Sequence, residues 1–320
     1  MIRVGLAGVG NLGRGVLAAL EQATDMKLAA IFSRRALDMA QAPVYAMDDL
    51  AQHAGELDVL ILAGGSADDL PTQTPYAAQF CDIVDSFDTH AKIPEHFAAV
   101  DAALRASGHF GVISAGWDPG LFSLMRVYAQ AALPVGHTAS FWGRGVSQGH
   151  SAAIRGIPGV AGAVQYTNPV PAAVTAAMEG RGEGLTTRDK HTRECYVVLE
   201  DGADAAAVEK AIVTMPNYFA DYDTTVTFIS ADELARNHAG MPHGGKVVRN
   251  GTTAEGSRHA VALDITLESN PAFTASLLVA YARAVVRMRA GGAIGAATVF
   301  DIPPAQLLPQ DGATLRATLL

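Results

Sequence analysis

One short segment near the start of the chain has the residue types and spacing needed to bind a nucleotide. Gly8-Val9-Gly10-Asn11-Leu12-Gly13 supplies G-x-G-x-x-G between an apolar run and a helical pattern. In this arrangement the first glycine allows a tight turn, and the second lets a pyrophosphate approach the backbone. The third lets the helix pack closely on its strand, and the free N–H groups at the helix start hold the phosphates. The segment therefore predicts a dinucleotide site.

The residues that close the second apolar run indicate which dinucleotide binds. Leu28-Ala29-Ala30-Ile31-Phe32 is followed by Ser33-Arg34-Arg35, at the place where an acidic residue usually meets the ribose 2′-hydroxyl. Arginine pairs with a 2′-phosphate instead, so the pattern predicts NADP(H) rather than NAD(H). The alternative is that the two arginines belong to a solvated loop after a strand.

Five further segments carry more polar side chains, beside glycine or a strand end, than a core requires. They are Phe87-Asp88-Thr89-His90, Trp117-Asp118-Pro119-Gly120, Ser147-Gln148-Gly149-His150-Ser151, His191-Thr192-Arg193 (expected just before a strand) and Met241-Pro242-His243-Gly244-Gly245. Each has a plain structural alternative. The aspartates could be helix caps or turn formers. The histidines at 150 and 191 could be structural donors, the tryptophans at 117 and 142 core aromatics, and Arg193 a member of a surface ion pair.

The first part of the chain alternates apolar strands with helices, which predicts right-handed βαβ units in a doubly wound, Rossmann-type parallel sheet. The strands are expected at 2–7, 28–32, 59–63, 81–85 and 111–114, and the helices at 71–80 and 94–106. Ligands bind beyond the carboxyl ends of such strands. Besides 8–13 and 33–35, the predicted cofactor contacts on these loops are Gly64, Gly65, Ser66, Ala67, Phe87, Asp88, Gly116, Trp117, Asp118, Pro119 and Gly120.

From about 117–120 onward, glycine, histidine and turn residues become frequent and β-type runs appear. This change predicts a second domain, of α+β type with a mixed or antiparallel sheet. Its expected strands include 139–142, 195–199, 224–229 and 260–265. A long helix follows over 270–289, because asparagine is a favoured N-cap and proline a favoured first helical residue. We expect a cofactor domain at 1–118, a substrate and dimerisation domain at 119–269, and a C-terminal segment at 270–320 whose helix packs back on the first domain.

Composition excludes several classes of function. The 320 residues carry a net charge of −9 and no long basic cluster, so nucleic acid and anionic membranes are poor partners. No apolar stretch approaches the roughly 20 residues that span a bilayer. A core strand beginning at the second residue leaves no room for a signal peptide, which predicts a cytoplasmic protein. Cys81 and Cys195 are expected to be reduced core thiols, and no motif predicts a metal.

The chain resembles the bacterial meso-diaminopimelate dehydrogenase family nearly end to end. The resemblance is carried by GVGNLGRG, IFSRRA, DTHAKIPEH, SAGWDPGLFS, FWGRGVSQGHS, IPGVAGAVQYT, TMPNYF, GMPHGG and NPAFTAS. GWDPG, SQGHS and MPHGG in this order are far more specific than the nucleotide motif. The family often has proline where Arg144 stands and asparagine where Thr89 stands, so the substrate wall near Arg144 departs from the family pattern.

The resemblance implies NADP-dependent, reversible oxidative deamination of the D-centre of meso-2,6-diaminopimelate. The products would be L-2-amino-6-oxopimelate, which cyclises to tetrahydrodipicolinate, ammonia and NADPH, in lysine and peptidoglycan precursor synthesis. It also implies a homodimer formed through the second domain, with a hexamer as the alternative. Asp88 and Asp118 would be the catalytic carboxylates at the D-amino group. The implied substrate contacts are Trp117, Trp142, Gln148, Gly149, Thr167, His191, Arg193, His243 and Asn270.

Two other classes of protein share parts of this pattern. Another Rossmann-fold enzyme, such as a dihydrodipicolinate reductase or an amino-acid dehydrogenase of different scope, would share the loop at 8–13. It would not share the distal cluster, the residues that the resemblance assigns to the L-amino acid end of the substrate: Thr167, Arg193, His243 and Asn270. A non-catalytic NADPH-sensing regulator would bind the cofactor without needing Asp88, Asp118 and Arg193 together.

Overall fold

The computed structural model describes residues 1–35, 39 and 41–320. The strands are β1 (Ile2–Ala7), β2 (Met26–Phe32), β3 (Val44–Tyr45), β4 (Val59–Leu62), β5 (Ile83–Asp85), β6 (Phe110–Val112), β7 (Val135–Trp142), β8 (Gly145–Val146), β9 (Val160–Pro169), β10 (His191–Leu199), β11 (Asp223–Phe228), β12 (His243–Ala254), β13 (Ser257–Leu267) and β14 (Gly295–Ala297). The α-helices are α1 (Asn11–Gln22), α2 (Leu50–His53), α3 (Leu70–Ala77), α4 (Ile93–Ser107), α5 (Leu121–Ala132), α6 (Gln148–Arg155), α7 (Pro171–Met178), α8 (Thr187–Lys190), α9 (Ala205–Val213), α10 (Ala231–Asn237), α11 (Asn270–Ala290) and α12 (Gly312–Leu319).

The described chain divides into two compact units. Unit 1 comprises Met1–Leu124 and Pro271–Leu320, and unit 2 comprises Met125–Asn270. The chain passes from one unit to the other within α5 and again at the first residue of α11.

Unit 1 contains a seven-stranded parallel sheet in the order β14-β6-β5-β4-β1-β2-β3. Both faces of this sheet are covered, as β4 illustrates. Its residues Val59 and Ile61 belong to one buried cluster, whereas Leu60 and Leu62 belong to another. A strand buried on both sides has to be apolar at every position, which is why these strands are continuous hydrophobic runs in the sequence.

The C-terminal segment completes unit 1. Residues of α11, among them Ala275, Leu278 and Ala282, are buried in the same cluster as β1 and α1. Arg283 forms an ion pair with Asp25 at 2.6 Å, between Nε and Oδ2. β14 then pairs with β6 and forms one edge of the sheet.

Unit 2 contains two smaller sheets. One has the order β11-β10-β9-β8 and the other the order β13-β12-β7. All the pairs are antiparallel except β10 with β11, so the first of the two sheets is mixed. The structure therefore confirms the predicted fold class, a Rossmann-type parallel sheet with an α+β second part.

The two cysteines and the helices bear on what the sequence predicts about core thiols and membrane spans. Cys81 and Cys195 are both free and buried, and burial raises the pKa of each thiol to about 12. Within the part of the chain that the structure describes, no helix is both long enough and apolar enough to cross a membrane.

Candidate active site

The glycine-rich loop between β1 and α1 depends on an unusual backbone conformation at one glycine and on a close backbone approach at another. Gly8 has a φ of +91°, a conformation that side chains other than glycine rarely adopt. A Cβ on Gly13 would lie 2.1 Å from the carbonyl oxygen of Gly8, so the helix can pack this closely only with glycine there. Both glycines are therefore needed by the fold itself.

Gly10 is different, because the folded chain does not need it to be glycine. A Cβ on Gly10 would meet no atom within 4 Å. Gly10 is also the N-cap of α1, where no side chain caps the helix and no acidic residue occupies the first turn. The helix start thus has open space beside its first N–H groups, which suits an anion.

The arginines after β2 lie on the surface, and one of them has a partner. The Arg34 side chain is 68% exposed and forms an ion pair with Asp69, with Nη2 and Oδ1 2.8 Å apart. Asp69 also accepts a 2.9 Å hydrogen bond from the Gly65 N–H through Oδ2. The Arg35 N–H donates to Ser33 Oγ at 3.1 Å. Asp69 therefore ties the end of β2 to the loop after β4.

Ser66 joins the loop after β4 to the loop after β5. Its Oγ accepts a 2.8 Å hydrogen bond from the Asp88 N–H and lies 3.3 Å from Thr89 Oγ1. Asp88 itself is exposed. The backbone contact fixes the position of Asp88 while leaving its carboxylate facing solvent.

The loop after β6 is tightly folded around two glycines. A Cβ on Gly120, whose φ is +134°, would lie 1.7 Å from the carbonyl oxygen of Gly116. Trp117 is only 6% exposed and packs edge-on against Phe122, with ring centroids 5.1 Å apart. Asp118, between them, is half-buried. Trp117 therefore does have the core contact that its structural alternative predicted.

A buried carboxylate that the sequence did not reveal lies under these loops. Asp85, the last residue of β5, is 0% exposed. Its Oδ1 accepts hydrogen bonds from the N–H groups of Phe87 (3.1 Å) and Ser114 (2.7 Å), and its Oδ2 lies 2.6 Å from His96 Nε2. The residue therefore connects the loop that carries Asp88 with the loop that carries Asp118.

In unit 2, Arg193 is a buried cation. It pairs across the β9–β10 ladder with Thr167, and its Nη1 donates to Thr167 Oγ1. Arg193 is 6% exposed, its Nε has no hydrogen-bond partner, and no described carboxylate forms an ion pair with it. The surface ion pair considered from the sequence is thus wrong. Burial lowers the pKa of this guanidinium, because the charged form is deprived of water.

The neighbours of Arg193 restrict its guanidinium from two sides. The plane lies over the ring of Tyr222, with Cζ 3.8 Å from the ring centroid. Gln165, which is fully buried, donates from Nε2 to Thr167 Oγ1 at 3.4 Å. Since the Thr167 hydroxyl already accepts from two donors, its own hydrogen remains for another acceptor.

Two histidines in unit 2 are held in the neutral form. Burial first, and then the charge of Arg193, lower the pKa of His150 and of His191 to about 4. His191 Nε2 accepts the N–H of Trp142 at 2.9 Å, so the hydrogen of the neutral ring is on Nδ1. His150 Nδ1 lies 2.6 Å from Ser147 Oγ, the N-cap of α6. His191 thus makes a structural hydrogen bond, as its alternative predicts, although at Nε2 it accepts that bond and does not donate it.

The remaining predicted substrate residues of unit 2 lie on neighbouring backbone segments. Gln148 and Gly149 are exposed in the first turn of α6. A Cβ on Gly145 would lie 2.5 Å from the His243 ring, so that ring packs directly on β8. The Asn270 N–H donates to the Met241 carbonyl at 2.9 Å. No group of three or more metal-ligating side chains occurs in the described residues.

Comparison with known proteins identifies the family. Residues 116–269 match a model described as the diaminopimelic acid dehydrogenase C-terminal domain. The meso-diaminopimelate D-dehydrogenase of Lysinibacillus sphaericus is 57% identical over 323 residues, covering 100% of this chain and 99% of the relative. The enzyme of the same name from Ureibacillus thermosphaericus is 55% identical with the same coverage. This chain belongs to the diaminopimelate dehydrogenase family.

Solved structures of diaminopimelate dehydrogenases have the same fold. The Corynebacterium glutamicum enzyme in complex with DAP has a TM-score of 0.95 and 44% identity, covering 100% of this chain and 99% of that one. An engineered D-amino acid dehydrogenase bound to NADP+ has a TM-score of 0.90 and 43% identity, again over 100% and 99%.

A substituted meso-diaminopimelate dehydrogenase from Clostridium tetani, with DAP, has a TM-score of 0.96 and 46% identity over 100% of both chains. Its six substitutions replace, in chain order, a glutamine, a threonine, an arginine, a proline, a histidine and an asparagine. The same residue types occur in this chain at the same intervals, as Gln148, Thr167, Arg193, Pro242, His243 and Asn270. This member of the family has the unsubstituted residue at all six positions.

Proposed function

We propose that this protein oxidises the D-centre of meso-2,6-diaminopimelate with NADP+. Substrate, NADP+ and water give L-2-amino-6-oxopimelate, ammonium, NADPH and a proton, and the reaction is reversible. The observation that carries the proposal is Arg193, a buried guanidinium without a carboxylate partner among the described residues. A buried unpaired charge is costly, so it indicates an anionic group on the ligand. The family's name supports the same substrate.

The loops of unit 1 fit NADP(H). The open space beside Gly10 can accommodate a pyrophosphate against the N-terminus of α1. Arg34, which follows β2 and is largely exposed, is proposed to pair with the 2′-phosphate. When bound, NADP+ supplies the hydride acceptor, C4 of its nicotinamide. We propose cofactor contacts at Gly8, Val9, Gly10, Asn11, Leu12, Gly13, Ser33, Arg34, Arg35, Gly64, Gly65, Ser66, Ala67, Phe87, Asp88, Gly116, Trp117, Asp118, Pro119 and Gly120.

Asp88 and Asp118 are proposed as the catalytic carboxylates at the D-amino group. Two negative charges there hold the ammonium and stabilise the positive charge that develops as the C–H bond loses hydride. The ammonium must give up a proton before this step, and a carboxylate or a water held by one can accept it. Water then adds to the resulting imine, which releases ammonia.

The other end of the substrate is a carboxylate and an ammonium at an L-centre. Arg193 Nη2 and the unused hydrogen of the Thr167 hydroxyl are donors for the carboxylate. The six positions shared with the Clostridium tetani variant support a site built from these residues. We propose substrate contacts at Trp117, Trp142, Gln148, Gly149, Thr167, His191, Arg193, His243 and Asn270.

We also propose that the protein is a homodimer formed through unit 2 and that it is cytoplasmic. β13 is an eleven-residue edge strand that pairs only with β12 among the described strands. Exposed residues such as Ala260, Ala262 and Thr266 alternate along it with partly buried apolar ones. The unpaired N–H and C=O groups of an edge strand can pair with another chain, and a second copy is the partner that we propose. The proposed domains are 1–118, 119–269 and 270–320.

The experiment that tests the proposed reaction is one absorbance trace at 340 nm with NADP+ and meso-diaminopimelate. Turnover with this substrate is expected, with little or none for D-alanine or the LL isomer. Equal turnover of D-alanine would indicate a general D-amino-acid dehydrogenase. Cofactor binding without turnover of any amino acid would indicate a sensing protein.

A further inference from the structure

Asp85 lies at a junction of three backbone segments of unit 1. It ends β5, and its Oδ1 accepts the N–H groups of Phe87, on its own loop, and of Ser114, on the loop after β6. Its main-chain carbonyl accepts the N–H of Ala115 at 2.9 Å. Three of the N–H groups that shape two different loops are thus bound by one residue.

His96 closes the other side of this junction. It lies in the first part of α4 and is 5% exposed, and its Nε2 is 2.6 Å from Asp85 Oδ2. The His96 ring also stacks on Phe87, with centroids 4.0 Å apart and planes inclined by 14°. The contact at Oδ2 is short enough for a hydrogen bond, and since an ionised carboxylate can only accept, His96 Nε2 is the donor to ionised Asp85.

The loops that this pair binds are those that carry the proposed catalytic carboxylates. Asp88 follows Phe87 directly, and Asp118 lies three residues after Ala115. Asp88 is fixed on its other side by the bond from its N–H to Ser66 Oγ. A shift of Asp85 would therefore move the backbone on which both carboxylates depend.

We infer that the Asp85–His96 pair is a positioning element that sets the separation of Asp88 and Asp118. The inference rests on the proposed function, and it adds two residues that do not themselves touch the substrate. A fully buried polar pair is expensive to desolvate, so a chain that needed only stability could fill this space with apolar side chains. Its hydrogen bonds instead specify the positions of two loops, and a displacement of about 1 Å at a reacting group can cost roughly 10²-fold in rate.

A matched pair of variants separates positioning from simple filling of space. In His96→Gln the side-chain amide nitrogen reaches about as far as Nε2 and can still donate to Asp85 Oδ2. In His96→Asn the amide falls short of that oxygen. Both variants lose the stacking on Phe87 and keep a polar side chain, so they differ chiefly in the bond to Asp85. Turnover is referred to the concentration of NADPH-binding sites, titrated by nicotinamide fluorescence, so that misfolded protein is not counted.

The expected result is that kcat for meso-diaminopimelate falls by about 10- to 100-fold in His96→Asn. His96→Gln should retain at least about tenfold more of that activity, and the dissociation constant for NADPH should change less than about threefold in both. Equal kcat values in the two variants would overturn the inference, and so would a loss of NADPH affinity that parallels the loss of kcat. The proposed function itself is judged separately, by whether the unaltered protein turns over meso-diaminopimelate.

If neither variant binds NADPH, Asp85→Asn decides the question. Its Oδ1 can still accept from Phe87 and Ser114, and its amide can donate to a His96 ring protonated on Nδ1. The inference requires kcat within about fivefold of the unaltered protein. A loss as large as that expected for His96→Asn would show that the carboxylate charge, and not the hydrogen bonds to the loops, is what matters here.

Discussion

The guanidinium of Arg193 lies flat over the ring of Tyr222, with Cζ 3.8 Å from the ring centroid. Thr167 holds Nη1 of the same group from the side. Stacking and hydrogen bonding together fix the plane of the guanidinium, and a fixed plane is what a two-point contact with a carboxylate requires. Tyr222 was not among the residues singled out in the sequence, because nothing in the sequence places it near Arg193.

Tyr222→Leu should therefore raise KM for meso-diaminopimelate by about tenfold, in the range of a cation–π contact worth about 1–2 kcal/mol. The value of kcat should change little, because the lost contact acts at the end of the substrate that does not react. Tyr222→Phe is the matched control, since it keeps the ring and removes only the hydroxyl. Steady-state kinetics of the three proteins provides the test, and an equal rise of KM in both variants would mean that the hydroxyl matters rather than the ring.

Arg193→Met should remove most of the preference for the long substrate. Truncating a buried charged partner costs about 2–5 kcal/mol, so the ratio of kcat/KM for meso-diaminopimelate to that for D-alanine should fall at least about 30-fold. The slow reaction of D-alanine should be nearly unaffected, because D-alanine has no distal carboxylate. The measurement is this ratio in both proteins; an unchanged ratio would place the distal contact elsewhere, with Arg144 as the first candidate.

Replacing Arg34 with Ser and Arg35 with Ala should weaken NADP+ far more than NAD+. A hydrogen-bonded charge pair is worth about 1.5–3 kcal/mol, so the dissociation constant for NADP+ should rise about 10- to 100-fold. Asp69→Asn tests the ion pair with Arg34 (2.8 Å). It keeps the side-chain shape and an acceptor for the Gly65 N–H, and it should alter NADP+ binding much more than NAD+ binding. Isothermal titration with both cofactors distinguishes these outcomes from a general loss of binding.

Asp118→Asn should lower kcat by about 10²- to 10⁴-fold, the range for a group that assists proton transfer or holds the reacting amine. The affinity for NADPH should fall much less than kcat, because the phosphate-binding loop at Gly8–Gly13 is distant in sequence and stays intact even though Asp118 is itself a proposed cofactor contact. Single-turnover absorbance at 340 nm and fluorescence titration measure the two effects separately. Near-normal turnover would make Asp118 a turn residue only, as its half-buried position before Pro119 also allows.

Lowering the pH should destabilise the fold through His191, whose pKa is lowered to about 4 from its ordinary 6.5. Between these two values the unfolded chain binds a proton that the folded chain does not, so the free energy of unfolding falls as the pH drops below about 6.5. At pH 5 this effect lowers the free energy of unfolding by about 2 kcal/mol, for a histidine that is only 3% exposed. Urea unfolding at pH 7.5 and 5.0 measures the change. In His191→Gln, whose amide oxygen can accept the Trp142 N–H, the change should be smaller.

Local features of unit 1 could be predicted from the sequence because their signals lie within short stretches of chain. Gly8, Gly13 and the strand that precedes them form one continuous motif, and the apolar runs of a doubly covered sheet are visible directly. Asp85 could not be found in this way. It is the last residue of a short apolar strand, and its partners His96 and Ser114 lie 11 and 29 residues away. They meet only because β5 and β6 pair in parallel, which no local pattern specifies.

The start of β10 shows a second limit of the sequence. His191-Thr192-Arg193 was expected just before a strand, but all three residues belong to it. His191, Arg193 and Cys195 alternate on the buried face, where a pattern based on hydrophobicity places no cation. In the sequence, a charged residue at an inward position therefore resembles a loop residue, and only the fold shows that Arg193 is buried.

The division of unit 1 along the chain has a consequence for the way the protein is made. Its last 50 residues supply α11 and the edge strand β14, and α11 covers apolar side chains of β1 and α1. A ribosome therefore completes all of unit 2 before the first-made sheet can acquire its cover. During that interval the nascent N-terminal sheet exposes the apolar face that α11 will cover. Chains with such exposed apolar surface are prone to aggregate. Binding of chaperones to the nascent chain should accordingly be greatest while residues 125–270 emerge. It should end only after α11 has left the ribosome.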